Sequence, residues 1–203
     1  MKYRSISIIA VVGMLGVAAC GNDKTASPAT QQASASAPTA GTPAAGASFN
    51  HADVTFTQSM IPHHQQAVEM ADMALDPKVG AGEKVRDLAS RIKTGQNPEI
   101  ELMNGWLTAW GQPMPMDMGP GQDMASMDGM MSAQEMSSLG AMTGPAFDKT
   151  WLEMMIRHHQ GAIAMAQTAK AGGSNTDVLA LADQVITAQQ GEIAEMNTML
   201  ADG

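Results

Sequence analysis

Four of the five histidines stand as two adjacent pairs, His63-His64 and His158-His159. Each pair is flanked by methionines, Met60 and Met70 in the first case and Met155 and Met165 in the second. Imidazole with thioether is a selective donor set. Thioether is soft and neutral and suits Cu(I), imidazole suits copper in general, and hard cations prefer carboxylates. Outside the cytoplasm thiols tend to oxidise, whereas methionine stays available as a soft donor with no proton to lose. These eight residues are therefore candidate copper ligands. Cu(I) is the expected state, with Cu(II) within reach of the imidazoles.

A third group extends the pattern. Met114-Pro115-Met116-Asp117-Met118 places three thioethers at alternate positions in a segment rich in Gly, Pro and Met. A flexible segment of this kind can wrap Cu(I) without a preformed cage, at the entropic cost of ordering it. Methionine is unusually frequent, 20 residues against 3 Phe, 3 Trp and 1 Tyr. Met70, Met103, Met165 and Met196 also lie on apolar stripes, where core packing alone accounts for them.

The histidine pairs belong to an internal duplication. Met60-Ile61-Pro62-His63-His64-Gln65-Gln66-Ala67-Val68-Glu69-Met70-Ala71 recurs as Met155-Ile156-Arg157-His158-His159-Gln160-Gly161-Ala162-Ile163-Ala164-Met165-Ala166, with eight of the twelve positions identical. Upstream, Asp53, Thr55 and Phe56 pair with Asp148, Thr150 and Trp151. Downstream, Leu88, Gln96, Glu99 and Met103 pair with Leu181, Gln189, Glu192 and Met196. Each half is one helical hairpin, used twice.

Apolar stripes of helical period predict helices over about 53–75, 83–110, 145–171 and 176–201. Asp76-Pro77 stops the first and Gly172-Gly173 ends the third. Pro62 and Pro98 predict local kinks. Two hairpins joined by a long connection, 111–144, make an all-α four-helix bundle. Ser132 to Glu135 is a capping-box pattern that can start a short helix inside that connection.

Adjacent helical residues point about 100° apart, so one histidine of each pair is expected to face inward and the other sideways or outward. Residues three or four apart share a face, which sets Met60 and Met155 beside their histidines. Gln96, Gln189, Glu99 and Glu192 interrupt the stripes at matching places. They either orient the imidazoles or sit at a stripe edge.

The ends and the charge bound the setting. Lys2 and Arg4 precede an apolar run too short to span a bilayer, and Val17-Ala18-Ala19-Cys20 resembles a bacterial lipobox. The expectation is a signal peptide over 1–19, lipidation of Cys20, a flexible Ala/Ser/Pro tether over 20–48 and a folded domain over 49–203. The chain is then an extracytoplasmic lipoprotein anchored in the bacterial cell envelope. Cys20 is the only cysteine, which excludes an internal disulfide and a thiolate metal site. A net charge of −9 argues against a nucleic-acid partner.

The doubled Met-Ile-x-His-His-x-x-Ala-hydrophobic-x-Met-Ala motif resembles the bacterial DUF305 family. The resemblance implies a ferritin-like helical bundle and, for some members, copper binding in the cell envelope linked to copper resistance. The family's histidines and methionines map onto His63, His64, His158, His159, Met60, Met70, Met155 and Met165. Gly161 stands where the first copy has Gln66, a change expected to leave ligation unaffected.

The function expected is copper sequestration or transfer, with a copper-handling protein as a further partner and no catalysis. One alternative is a di-iron oxidase of ferritin-like type, which would need Glu three residues before its histidines; Met60 and Met155 stand there instead. The other alternative is a scaffold or partner-binding bundle whose histidines are structural.

Overall fold

The computed structural model describes residues 48–115 and 127–202. The expected signal peptide, Cys20, nearly all of the tether, Met116 and Met118 lie outside them. Five helices form in order: α1 His51–Leu75, α2 Glu83–Ala109, α3 Ala133–Gly140, α4 Gly144–Gly172 and α5 Thr176–Asp202. No strand occurs among the described residues. The four long helices are those expected, displaced by no more than two residues at any end. α3 is the short helix announced by Ser132, whose side chain caps it in a reciprocal box with Glu135.

α1 begins in the same way, with Asn50 and Asp53 exchanging hydrogen bonds. Pro62 and Pro98 sit inside α1 and α2, and both helices continue through them. α1 packs on α2, α4 packs on α5, and α1 and α4 join the hairpins. α1 and α4 run antiparallel. Asn50 near the start of α1 bonds the Gly172 carbonyl at the end of α4, and the indole N–H of Trp151 near the start of α4 bonds the Met70 carbonyl late in α1. Alanines four apart (Ala67, Ala71; Ala162, Ala166) are fully buried along the two helices and allow close approach.

The core is two apolar clusters. One gathers Met70, Ala74, Leu88, Phe147, Trp151 and Met155; the other gathers Phe56, Met60, Met103, Trp106, Ala166 and Leu181. On α1 the second cluster takes residues up to Ile61 and the first takes residues from Ala67 onward; α4 reverses that order. Both histidine pairs fall in the gap, so a polar layer divides the core at mid-length.

The duplication also clasps the hairpins. Asp53, fully buried, accepts from the backbone N–H groups of Ser174 and Asn175 in the α4–α5 turn. Its counterpart Asp148 accepts from Gly82 N–H at 3.0 and 3.1 Å in the α1–α2 turn. Each carboxylate therefore sits at the N-terminal end of the other hairpin's second helix, where the helix dipole favours negative charge.

Part of the connection departs from the sequence expectation of a largely irregular segment. Met130, Met131 and Met136 are buried, and Met131 and Met136 belong to the first core cluster. Hydrophobic packing accounts for all three; Met136 lies on α3, and only Met130 and Met131 lie in surroundings too irregular to predict it. Met114 is 48% exposed.

Candidate metal centre

All four paired histidines are fully buried. His63 on α1 and His158 on α4 meet across the contact between the hairpins, with ring centroids 3.8 Å apart and planes tilted by 42°. The second member of each pair turns sideways, toward the second helix of its own hairpin. His64 donates from Nε2 to Glu99 Oε2 on α2 at 2.7 Å, and His159 donates from Nε2 to Glu192 Oε2 on α5, also at 2.7 Å. The sideways option is thus realised and the outward one is not. Each of α1 and α4 is covered on two sides, so adjacent positions about 100° apart can both be buried.

These bonds fix which nitrogen is free. A carboxylate accepts, so Nε2 of His64 and of His159 carries the proton. In a neutral ring Nδ1 then holds the lone pair. His63 is oriented likewise by a backbone acceptor, donating from Nε2 to the Asp128 carbonyl at 3.2 Å. His158 has no hydrogen-bond partner at either nitrogen among the described residues.

The unpartnered polar atoms are concentrated here. The buried side-chain nitrogens and oxygens without a hydrogen-bond partner among the described residues are Nδ1 of His63, His64 and His159, both nitrogens of His158, both amide atoms of Gln96 and Oε1 of Gln189. Every one belongs to the duplicated His/Gln set. Buried polar groups are normally satisfied, and an orphaned group calls for a cause such as an ion or a water. Buried imidazoles with unpartnered nitrogens are donors that suit a metal that binds nitrogen.

Burial also keeps His63 and His158 in their ligating form. It lowers the pKa of His63 from 6.5 to about 3; nearby His64 adds to the shift, and the Asp128 carbonyl opposes it. Burial likewise holds His158 well below the usual imidazole range, reinforced by His63 and His159. A neutral ring binds metal without first releasing a proton.

Met60, Met70 and Met155 are fully buried on the same helices, whereas Met165 is half-buried, so the two halves are not equivalent at that position. Met114 lies exposed, unlike the buried histidines. No group of three His, Cys, Asp or Glu side chains able to hold a metal converges among the described residues. Glu99 and Glu192 each engage an imidazole, which answers the question their place in the stripes leaves open: they orient the rings.

The residues that sequence reasoning passed over are those by which the connection reaches the layer. Gln66 donates from Nε2 to the Met131 carbonyl at 2.8 Å and accepts from Met131 N–H at Oε1 at 2.7 Å. Its counterpart Gly161 lies so close to the connection that a Cβ there would stand 1.9 Å from the Asp128 carbonyl oxygen. The only sequence signal was that the two copies differ at this position.

Comparison with known proteins agrees with this fold. A DUF305 protein from Streptomyces coelicolor superimposes with a TM-score of 0.67 at 33% identity, over 74% of this chain and 93% of that one. A DUF305 fragment from Deinococcus radiodurans gives 0.67 at 33% identity, over 76% and 98%. CopM in its Cu(II)-bound form gives 0.64 at 32% identity, over 74% and 96%; CopM has also been solved with Cu(I) and with silver. Among curated proteins no sequence matches. The family model for DUF305, a domain of unknown function, matches residues 53–200, and the chain belongs to the DUF305 family.

Proposed function

We propose that this protein binds copper at the buried histidine layer and serves to sequester or hand over the ion rather than to transform a substrate. The observation that carries the reading is the set of orphaned imidazole nitrogens. These nitrogens are buried between two apolar clusters and have no hydrogen-bond partner among the described residues. The ligands proposed are His63, His64, His158 and His159, with thioether from Met60, Met155 and Met70. Glu99 and Glu192 fix the ring orientations, as carboxylates commonly do for metal-bound imidazole.

Similarity to CopM, which binds copper and silver, supports the choice of metal. The donor chemistry supports Cu(I), because thioether selects a soft ion. Similarity to a Streptomyces coelicolor protein assigned as secreted supports a place outside the cytoplasm, and the lipobox-like approach to Cys20 supports a lipid anchor. Cys20→Ser would then move the protein from the membrane to the soluble fraction.

The test is a Cu(I) competition titration against a colorimetric chelator, run beside a variant with all four paired histidines replaced by Ala. Tight binding lost in the variant is the expected result. Equal binding by both proteins would remove the histidine layer from the function.

A further inference from the structure

The two copies of the histidine motif differ at four of twelve positions, and at two of these the residues touch one segment. At the first, Gln66 of α1 grips the Met131 backbone from both sides and Gly161 of α4 leaves the space that the Asp128 carbonyl fills. At the second, Arg157 of α4 bonds Glu135 and approaches Met131 Sδ at 2.6 Å. These two departures from twofold symmetry thus serve one purpose, to dock the end of the connection on one side of the histidine layer.

The docked stretch is built for the position. Gly129 takes a φ of +81°, which favours glycine, and a Cβ on it would stand 2.6 Å from the Arg157 carbonyl. Met130 and Met131, within the stretch, are buried. The Asp128 carbonyl accepts from His63 Nε2–H. That carbonyl does for His63 what Glu99 and Glu192 do for His64 and His159.

We propose that residues 127–132 form a cover that orients His63 and closes the His63–His158 pair to solvent, held by Gln66 as a positioning residue and seated on Gly161. Its use follows from the copper-binding reading: an ion can reach fully buried rings only by an opening, and a docked cover is the removable part of the wall. In closed form it leaves Nδ1 of His63 free and slows both entry and escape.

The cover can be tested without metal. Carbethoxylation by diethyl pyrocarbonate reports access to a neutral imidazole, read ring by ring by mass spectrometry on the intact protein. Wild type is compared with Gln66→Ala, Gly161→Ala and the exposed-site control Gln65→Ala. His63 and His158 should react at least tenfold faster in Gln66→Ala and Gly161→Ala, and at the wild-type rate in Gln65→Ala. In Gln66→Ala the nitrogen resonances of His63 should also lose the fixed Nε2–H tautomer. Wild-type rates at His63 and His158 in a folded Gln66→Ala protein would overturn the proposal, whatever the fate of Gly161→Ala. Silver titration of the same proteins separates the two readings: a wild type that binds no Ag(I) overturns the metal function, while the carbethoxylation rates still decide the cover.

Discussion

The imidazoles of His63 and His158 stack obliquely, 3.8 Å between centroids, where the two halves of a duplicated chain meet. A pair of neutral, fully buried rings in contact is poor use of a core position. His158 has no hydrogen-bond partner for either nitrogen among the described residues, and an unmet buried polar group costs about 1–3 kcal/mol.

Replacing His158 with Leu should therefore hold or raise the stability of the metal-free protein, by about 1 kcal/mol. The same change should abolish the rise in melting temperature that Ag(I) or Cu(I) gives the wild type. Thermal melts with and without metal check both halves. A destabilised metal-free variant would mark His158 as structural.

Glu99 and Glu192 hold His64 and His159 by Nε2. Removing such an orienting carboxylate typically lowers metal affinity by about 10–100-fold. Glu99→Ala and Glu192→Ala should each show a loss of that order in Cu(I) competition, with the Gln substitutions losing less because the amide oxygen still accepts. Affinities equal to wild type in both Ala variants would detach these carboxylates from the site.

Acid should weaken the metal-free fold through His63 and His158. Both rings bind a proton less readily when folded than when unfolded. Between pH 6.5 and about 3 the unfolded chain takes up a proton that folded His63 refuses. This contribution is complete above the ordinary histidine range and is lost as pH falls. Each such histidine adds a slope of up to about 1.4 kcal/mol per pH unit. Urea unfolding from pH 7 downward measures it. The slope should flatten in His158→Leu, and an unchanged slope there would contradict burial as the cause.

Asp53→Ala should cost more than Asp148→Ala. Asp53 is fully buried and holds N–H groups from two residues of the distant turn, together with the Ser174 hydroxyl. Asp148 holds one N–H. Hydrogen bonds to charge contribute about 1.5–3 kcal/mol each, so the first variant should lose about 3 kcal/mol or more and the second roughly half of that. Denaturant midpoints decide the order.

Much of this arrangement is legible in the chain. Helix limits are written in periodic stripes, in the Ser132 cap and in Asp76-Pro77, because these act over a single turn, whereas sequence reasoning passed over the matching Asn50 cap. The repeated motif places the four histidines at equivalent points. The direction of each ring is less accessible, since it depends on which helices cover α1 and α4, and burial of both members of a pair follows only from packing on two sides. Met130 and Met131 lie in an aperiodic stretch, so nothing local marks them as core. The Gln66/Gly161 difference resembles neutral drift until the Asp128 carbonyl is found against Gly161. The matched Asp53 and Asp148 are visible as a pair, but their grip on each other's hairpin is a tertiary fact.

The most direct test of the copper site is X-ray absorption at the copper K edge on the Cu(I)-loaded protein, beside the variant lacking all four paired histidines. The expected wild-type spectrum has imidazole nitrogen and thioether sulfur around one ion, with the nitrogen scattering lost in the variant. A sulfur-only shell, the same in both proteins, would contradict ligation by the histidine layer and move the metal to the methionines.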